Sequence, residues 1–203
     1  MFIGKYNKSV IVTYIGIISA ILGIFLSIEG NMSYAMICLI VSGICDLFDG
    51  KIARMCKRDE EEKEFGKQLD SLADVFLFLG LPCVIGMKLF TGIPSYLSII
   101  VLILYVLAGV IRLAWFNIIA DKDGPVKYFV GMPVAYIALL TPVIYALNLV
   151  VKFTYINYVY LIIYTAFAFL FILNVKIPKP KGVWYAIFSL LAIVVVTMIL
   201  IMG

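Results

Sequence analysis

Apolar residues in this chain come in long unbroken runs, not in the alternation of a strand or the one-sided stripe of a surface helix. Seven runs stand out, at 10–28, 33–45, 69–87, 96–120, 133–151, 155–174 and 183–202. A helix needs about 20 apolar residues to cross a ~30 Å hydrocarbon core, and most of these runs approach that length. The pattern predicts an all-α polytopic membrane bundle of about seven transmembrane helices. The first run follows Lys5 and Lys8, as a signal peptide's would. It is longer than a signal peptide's apolar stretch, and no small-x-small cleavage site follows, so it reads as a membrane helix. Pro142 falls inside the fifth run, where a kink is expected. The tract Lys176-Ile-Pro-Lys-Pro-Lys-Gly182 breaks the chain before the last run. With no internal repeat and no low-complexity tract, residues 1–203 read as a single integral-membrane domain.

Composition agrees. Of the 203 residues 65% are apolar and 14% charged, against roughly 45–50% and 25% in soluble domains. The mean hydropathy is +1.13. A soluble domain and a disordered chain are both excluded. The net charge of +4 is small, and no nucleic-acid partner is expected. The placement of the charges says more. With the N-terminus in the cytoplasm, 14 of the 16 Lys and Arg fall in cytoplasmic segments, leaving only Lys88 and Lys152 outside. That asymmetry predicts an integral protein of the cell membrane, N-terminus in and C-terminus out. Histidine is absent, which removes Ser-His-Asp hydrolysis, His proton shuttles and His-containing metal sites. Cys38, Cys45, Cys56 and Cys83 form no C-x-x-C and read as small apolar residues. Tyr155, Tyr158, Tyr160 and Tyr164 read as interface and packing residues, not as a binding stripe.

One polar stretch interrupts the apolar pattern. It holds Asp46, Asp49, Gly50, Ala53 and Arg54, then a charged spacer, then Gly66, Asp70 and Asp74. At about 100° per residue the first five fall within roughly a 140° arc of one helix, and the last three within roughly 80° of the next. Thirteen residues, 33–45, separate the outer boundary from Asp46, and thirteen more, 75–87, separate Asp74 from Lys88. Asp46 and Asp74 are therefore expected at one depth, about 10 Å below the cytoplasmic edge, with Asp49 and Asp70 one turn closer to it.

Four carboxylates at that depth repel one another and are costly in hydrocarbon, so they need cations. Carboxylate oxygens without His or Cys suit hard ions such as Mg²⁺, Mn²⁺ or Ca²⁺. Gly50, Ala53 and Gly66 leave room on the same faces for a ligand or a close helix. A plainer reading has the acids paired with Arg54, Lys57 and Lys67 as helix-end caps. An ion-coupled transporter would also use intramembrane acids, but would spread them along a path and often show an inverted repeat.

These eight positions resemble the signature of the CDP-alcohol phosphatidyltransferases, D-x2-D-G-x2-A-R followed by G-x3-D-x3-D. The spacer, 55–65, has 11 residues where the family usually has about eight or nine, and the extra length falls in the acidic run 59–62, expected to be a solvated loop. The resemblance implies transfer of a phosphatidyl group from a CDP-linked lipid to an alcohol with release of CMP. It implies Asp46, Asp49, Asp70 and Asp74 as ligands for one or two divalent ions, Mg²⁺ or Mn²⁺, on the pyrophosphate. Asp74 is then also the general base, and Gly50, Ala53, Arg54 and Gly66 contact nucleotide or phosphate. A homodimer is implied as well.

Three stretches are similar to the family's serine-using branch: 69–74 around Asp70, 111–117 with Arg112 and Asn117, and 127–133 beginning at Lys127. On that resemblance the alcohol is L-serine, bound by Arg112, Asn117 and Lys127, and the CDP-linked lipid is CDP-diacylglycerol or its archaeal ether-lipid counterpart. Glycerol phosphate, inositol and inositol phosphate are the alternatives. Two positions depart from the branch pattern, Leu77-Phe-Leu79 after Asp74 and Trp115 in place of an Arg. Arg112 also stands on its own count. Sixteen uncharged residues precede it from Tyr96, as sixteen precede Asp49 from Ser33, so it is expected level with Asp49 and Asp70. It faces inward, to pair with the acids or to bind a ligand anion.

Overall fold

The computed structural model describes residues 3–5, 7–123, 128–178 and 182–203. Lys127, Lys179 and Lys181 lie outside them. The described residues are almost entirely helical: α1 (Ile11–Ile28), α2 (Met32–Met55), α3 (Glu60–Asp74), α4 (Leu81–Leu89), α5 (Ser95–Asp123), α6 (Ile137–Val151), α7 (Ile156–Ile172) and α8 (Val183–Met202). A π-helical turn, Val75–Gly80, joins α3 to α4, so the two run on as one rod of 30 residues. Five of the rods are long and apolar enough to span a bilayer, and α7 is apolar but shorter. The chain is an all-α integral membrane protein.

The seven expected runs map onto these rods, with two differences in extent. The second and third helices continue well past their apolar parts, to Met55 and back to Glu60. Both pack against α1 and the turn Lys8–Val10 before it, and this tertiary support keeps their polar ends helical. The acidic run is not a loop but the first turn of α3. Asp59 caps it, accepting from the Glu62 N–H at 2.7 Å, while Glu62 accepts from the Asp59 N–H at 3.0 Å. This reciprocal capping box satisfies two donors that a bare helix end would leave open.

The α1–α2 seam explains how the site is assembled. Thr13, Gly16, Ala20, Gly23 and Ser27 recur at alternating spacings of three and four and are buried. On α2 the buried Ala35, Ser42, Cys45 and Asp49 follow the same rhythm. Small residues on this period let two backbones approach closely. A Cβ on residue 23 would lie 2.9 Å from the Cβ of Cys38. The seam carries hydrogen bonds to backbone as well, Ser19 Oγ to the Cys38 carbonyl at 2.9 Å and Ser42 Oγ to the Gly16 carbonyl at 3.2 Å. Two of the four cysteines thus sit in this close contact.

The π turn lies immediately after Asp74. Pro82 has no N–H to offer the Phe78 carbonyl four residues back. Tyr105 of α5 supplies the missing donor through its hydroxyl. Tyr164 of α7 donates to the Pro82 carbonyl at 2.7 Å. Both tyrosines are fully buried and their rings meet at 5.0 Å. The two side chains hold an irregular backbone at membrane depth, where every polar group needs a protein partner.

A short antiparallel pair, β1 (Tyr128–Val130) with β2 (Lys176–Pro178), ties the α5–α6 connection to the stretch before α8, with Phe129 opposite Ile177. The break expected at 176–182 therefore begins as a strand.

Candidate active site

The four acids come together where α1, α2 and α3 meet. Carboxylate oxygens of Asp46, Asp49 and Asp70 lie within 4.8 Å of one another. Asp74 is outside that trio, but its carboxyl meets that of Asp46, while Asp49 meets Asp70. Two rungs result, one turn apart, as the residue counts lead one to expect. Asp49 is 8% exposed and accepts a hydrogen bond from Thr13 Oγ1 at 3.4 Å. Thr13 is the first small residue of the α1 stripe, so the seam that packs the helices also brings a hydroxyl to the acid. Three clustered carboxylates without soft ligands form a donor set for a hard divalent cation.

Arg112 faces inward and is 6% exposed. Its guanidinium lies over two rings, 5.1 Å from the centre of Phe116 and 5.7 Å from that of Phe129. Its Nε has no hydrogen-bond partner, and it forms no ion pair among the described residues. The counted depth placed it beside Asp49 and Asp70. Instead, its charge acts on Asp74 and Asp46, the other rung. The reason is helix direction: Cα–Cβ bonds tilt toward the N-terminus. α5 begins at the end of the bundle away from the spacer, so the long side chain leans one rung further from it. Asn117, also on α5, donates to Ser71 Oγ at 2.7 Å and so ties α5 to the turn between Asp70 and Asp74.

Two cavities flank the acids. One, of about 270 Å³, is polar and lies at the spacer end. Asp49 and Asp70 form its floor; Gly50, Ala53, Arg54 and Gly66 line it; and Arg58, Lys63 and Lys67 complete a basic rim. The other, of about 250 Å³, is lined mostly by apolar side chains, with Asp46 at its edge, and runs between α2, α6 and α8 past Phe129, Tyr185, Phe188 and Ala192. The acid cluster stands at the junction. Reading the sequence alone missed Thr13, Ser9, Arg58, Lys63 and Phe129. A polar Thr in an apolar run and a cluster of cations in the spacer were visible signals, whereas Phe129 was marked only as part of the stretch 127–133, and a strand pairing delivers it to Arg112.

The family model for CDP-alcohol phosphatidyltransferase matches residues 7–172. Similar curated proteins include archaetidylserine synthase of Methanothermobacter thermautotrophicus, 35% identical over 121 residues, which is 60% of this chain and 50% of that protein. CDP-diacylglycerol–serine O-phosphatidyltransferase of Methanocaldococcus jannaschii is 35% identical over 129 residues, 64% of this chain and 55% of that one. The protein of the same name from Bacillus subtilis is 26% identical over 165 residues, 81% and 85%. The chain thus spans about half the length of the archaeal relatives it matches. No solved structure gives a significant match. The matched region stops at the end of α7, and α8 lies beyond it.

Proposed function

The chain belongs to the CDP-alcohol phosphatidyltransferase family, and on that premise we propose that it transfers the phosphatidyl group of CDP-diacylglycerol to the hydroxyl of L-serine and releases CMP. The observation that carries this reading is the position of the acid cluster between a polar, basic-rimmed cavity and an apolar cleft. A CDP-linked lipid has that same division, with its pyrophosphate at the boundary. The nucleotide half fits the polar cavity and one hydrocarbon chain fits the cleft.

Asp46, Asp49 and Asp70 would hold one or two Mg²⁺ or Mn²⁺ ions, with Asp74 beside them. When bound, such ions neutralise pyrophosphate charge and make the lipid-side phosphorus easier to attack. The remaining chemistry belongs to the chain. Asp74, outside the tight trio, takes the proton from the serine hydroxyl as that oxygen bonds to the lipid-side phosphorus. The bond from that phosphorus to the bridging oxygen breaks, and CMP carries the bridging oxygen away. Arg112 lies near Asp74 and has no ion pair among the described residues, so its planar fork can clamp the serine carboxylate. Burial over two rings keeps water from competing for it. Asn117 positions the Asp70–Asp74 turn through Ser71, and Gly50, Ala53, Arg54 and Gly66 contact the nucleotide and its phosphates. Lys127, outside the described residues, completes the residues assigned to the alcohol.

We read residues 1–203 as one domain of a homodimer in the cell membrane. The excess of Lys and Arg at the spacer end turns the site to the cytoplasm, where serine and CMP are soluble. The test supplies purified protein with CDP-diacylglycerol and Mn²⁺ or Mg²⁺, offers serine, glycerol phosphate or inositol in turn, and measures CMP release. Release with serine alone is expected, abolished by excess EDTA. Release with another alcohol but not serine would reassign the acceptor, and full activity in EDTA would overturn the metal assignment.

A further inference from the structure

The signature residues build only part of the polar cavity. Two other side chains line it, each with a buried polar atom that has no hydrogen-bond partner among the described residues. Ser9 is 3% exposed, lines the cavity, and its Oγ has no hydrogen bond. Arg58 lines the same cavity, and its buried Nε is likewise unsatisfied. A buried polar group left unpaired costs about 1–3 kcal/mol, and two on facing walls of one cavity point to a ligand that satisfies both.

These residues are 49 positions apart in the sequence, and the chain before α1 brings them together. Asn7 uses both ends of its amide. Its Oδ1 accepts from the Ser9 N–H at 3.3 Å and caps the 3₁₀ turn Lys8–Val10, while its Nδ2 donates to the Lys57 carbonyl at 3.3 Å. One residue thus orients the turn that bears Ser9 and holds the backbone just before Arg58. Lys5 adds an ion pair to Glu61 at 2.7 Å. From the other side Arg58 rests on Gly66, where a Cβ would come within 3.3 Å of its Nη1. The absent side chain of this signature glycine makes room for a guanidinium from the spacer.

We propose that Ser9 and Arg58 form a second grip on the nucleotide half of the CDP-linked lipid, outside the signature motif, with Arg58 on the phosphate that stays with CMP and the Ser9 hydroxyl on a neighbouring polar atom. This rests on the reaction proposed above. The fork of an arginine matches phosphate oxygens two at a time. Its place on the spacer wall, across the acids from the apolar cleft, puts it on the nucleotide side of the bond that breaks. That phosphate gains the bridging oxygen's charge as the bond breaks, so the contact contributes to binding and strengthens as charge builds on the leaving group.

The test uses the full chain in detergent with Mn²⁺. CMP affinity is measured by calorimetry, and turnover with CDP-diacylglycerol and serine in parallel. Arg58→Ala should weaken CMP and raise the CDP-diacylglycerol KM by roughly 10–100-fold. Its kcat should fall as well, by up to roughly tenfold, because the leaving phosphate loses a cation, while the serine KM should stay within about threefold. Arg58→Lys, which keeps the charge and is no threat to folding, should fall between wild type and Arg58→Ala, and Ser9→Ala should weaken CMP by about fivefold. CMP affinity within about twofold of wild type in both Arg58 variants would overturn the grip. So would a serine KM that rises as much as the CMP Kd, which marks a merely structural role, or a wild-type protein that binds no CMP. If Arg58 controls CMP binding while serine supports no turnover, the grip stands and the choice of serine falls.

Discussion

The two cavities beside the acid cluster are nearly equal in size, about 270 and 250 Å³, and opposite in chemistry. The polar one is built from the turn before α1, α1, α2, α3 and the spacer, all within the matched family region. The apolar one is built from α2, α6, α8 and β1, and its α8 wall lies beyond the matched family region. Asp49 and Asp70 border the first, and Asp46 alone of the acids borders the second. The difference teaches how one cluster can serve an amphipathic substrate. Charge at the spacer end receives what water would otherwise solvate, hydrocarbon walls receive what water excludes, and the acids stand where the substrate changes character.

The largest effect should come from a residue that belongs to neither wall. Asp74→Asn should lower kcat by roughly 10²–10⁴-fold while CMP affinity in Mn²⁺ stays near wild type. Asp46→Asn, at the junction, should lose both. A near-normal rate for Asp74→Asn in a CMP-release assay would remove it as the base.

Arg112→Lys keeps the charge but breaks the fork, and should raise the serine KM by roughly 10–100-fold without changing CDP-diacylglycerol binding. If CDP-diacylglycerol binding weakens instead, Arg112 serves a phosphate, and the alcohol seat lies elsewhere.

Filling the apolar cleft sharpens the contrast directly. Ala192→Phe on α8 should raise the KM for a long-chain CDP-lipid by about tenfold, the worth of nearly two buried methylenes at ~0.8 kcal/mol each. CMP affinity, read by calorimetry, should not move. Equal losses in both would mean the cavities are not separate seats.

The smallest effect is expected at the acidic turn. Glu60 pairs with Lys63 and Glu61 with Lys5, both at 2.7 Å, and Glu62 closes the capping box. These contacts are exposed, and such pairs are worth about 0–1 kcal/mol. Replacing all three glutamates by Ser should leave turnover within a few-fold. A collapse would show that the first turn of α3 positions Arg58 or Lys63 more rigidly than its exposure suggests.

Much of the site is legible in the residue order. Hydropathy and helical period are local properties, so the runs, the two marked faces and the two acid rungs can be counted residue by residue. Counting fails where direction matters: Arg112 leans one rung away from its counted level because a side chain follows its helix's polarity. It fails at the acidic run too, where the capping box and packing of α3 turn an expected loop into helix. Thr13 is one polar residue in an apolar run until the α1–α2 seam places it on Asp49.

The sequence by itself determined that the chain crosses a membrane, which faces of two helices carry acid, and that only oxygen ligands are on offer there, because these follow from composition and from neighbours three and four residues apart. The tertiary structure alone decided what shares a cavity. Ser9 meets Arg58 through Asn7. Phe129 reaches Arg112 through a strand pair. Tyr105 satisfies the carbonyl that Pro82 leaves open. Each of these joins residues many helical turns apart along the chain. Such contacts depend on how whole helices dock, and docking is set by packing summed over many side chains, which no local window of sequence contains.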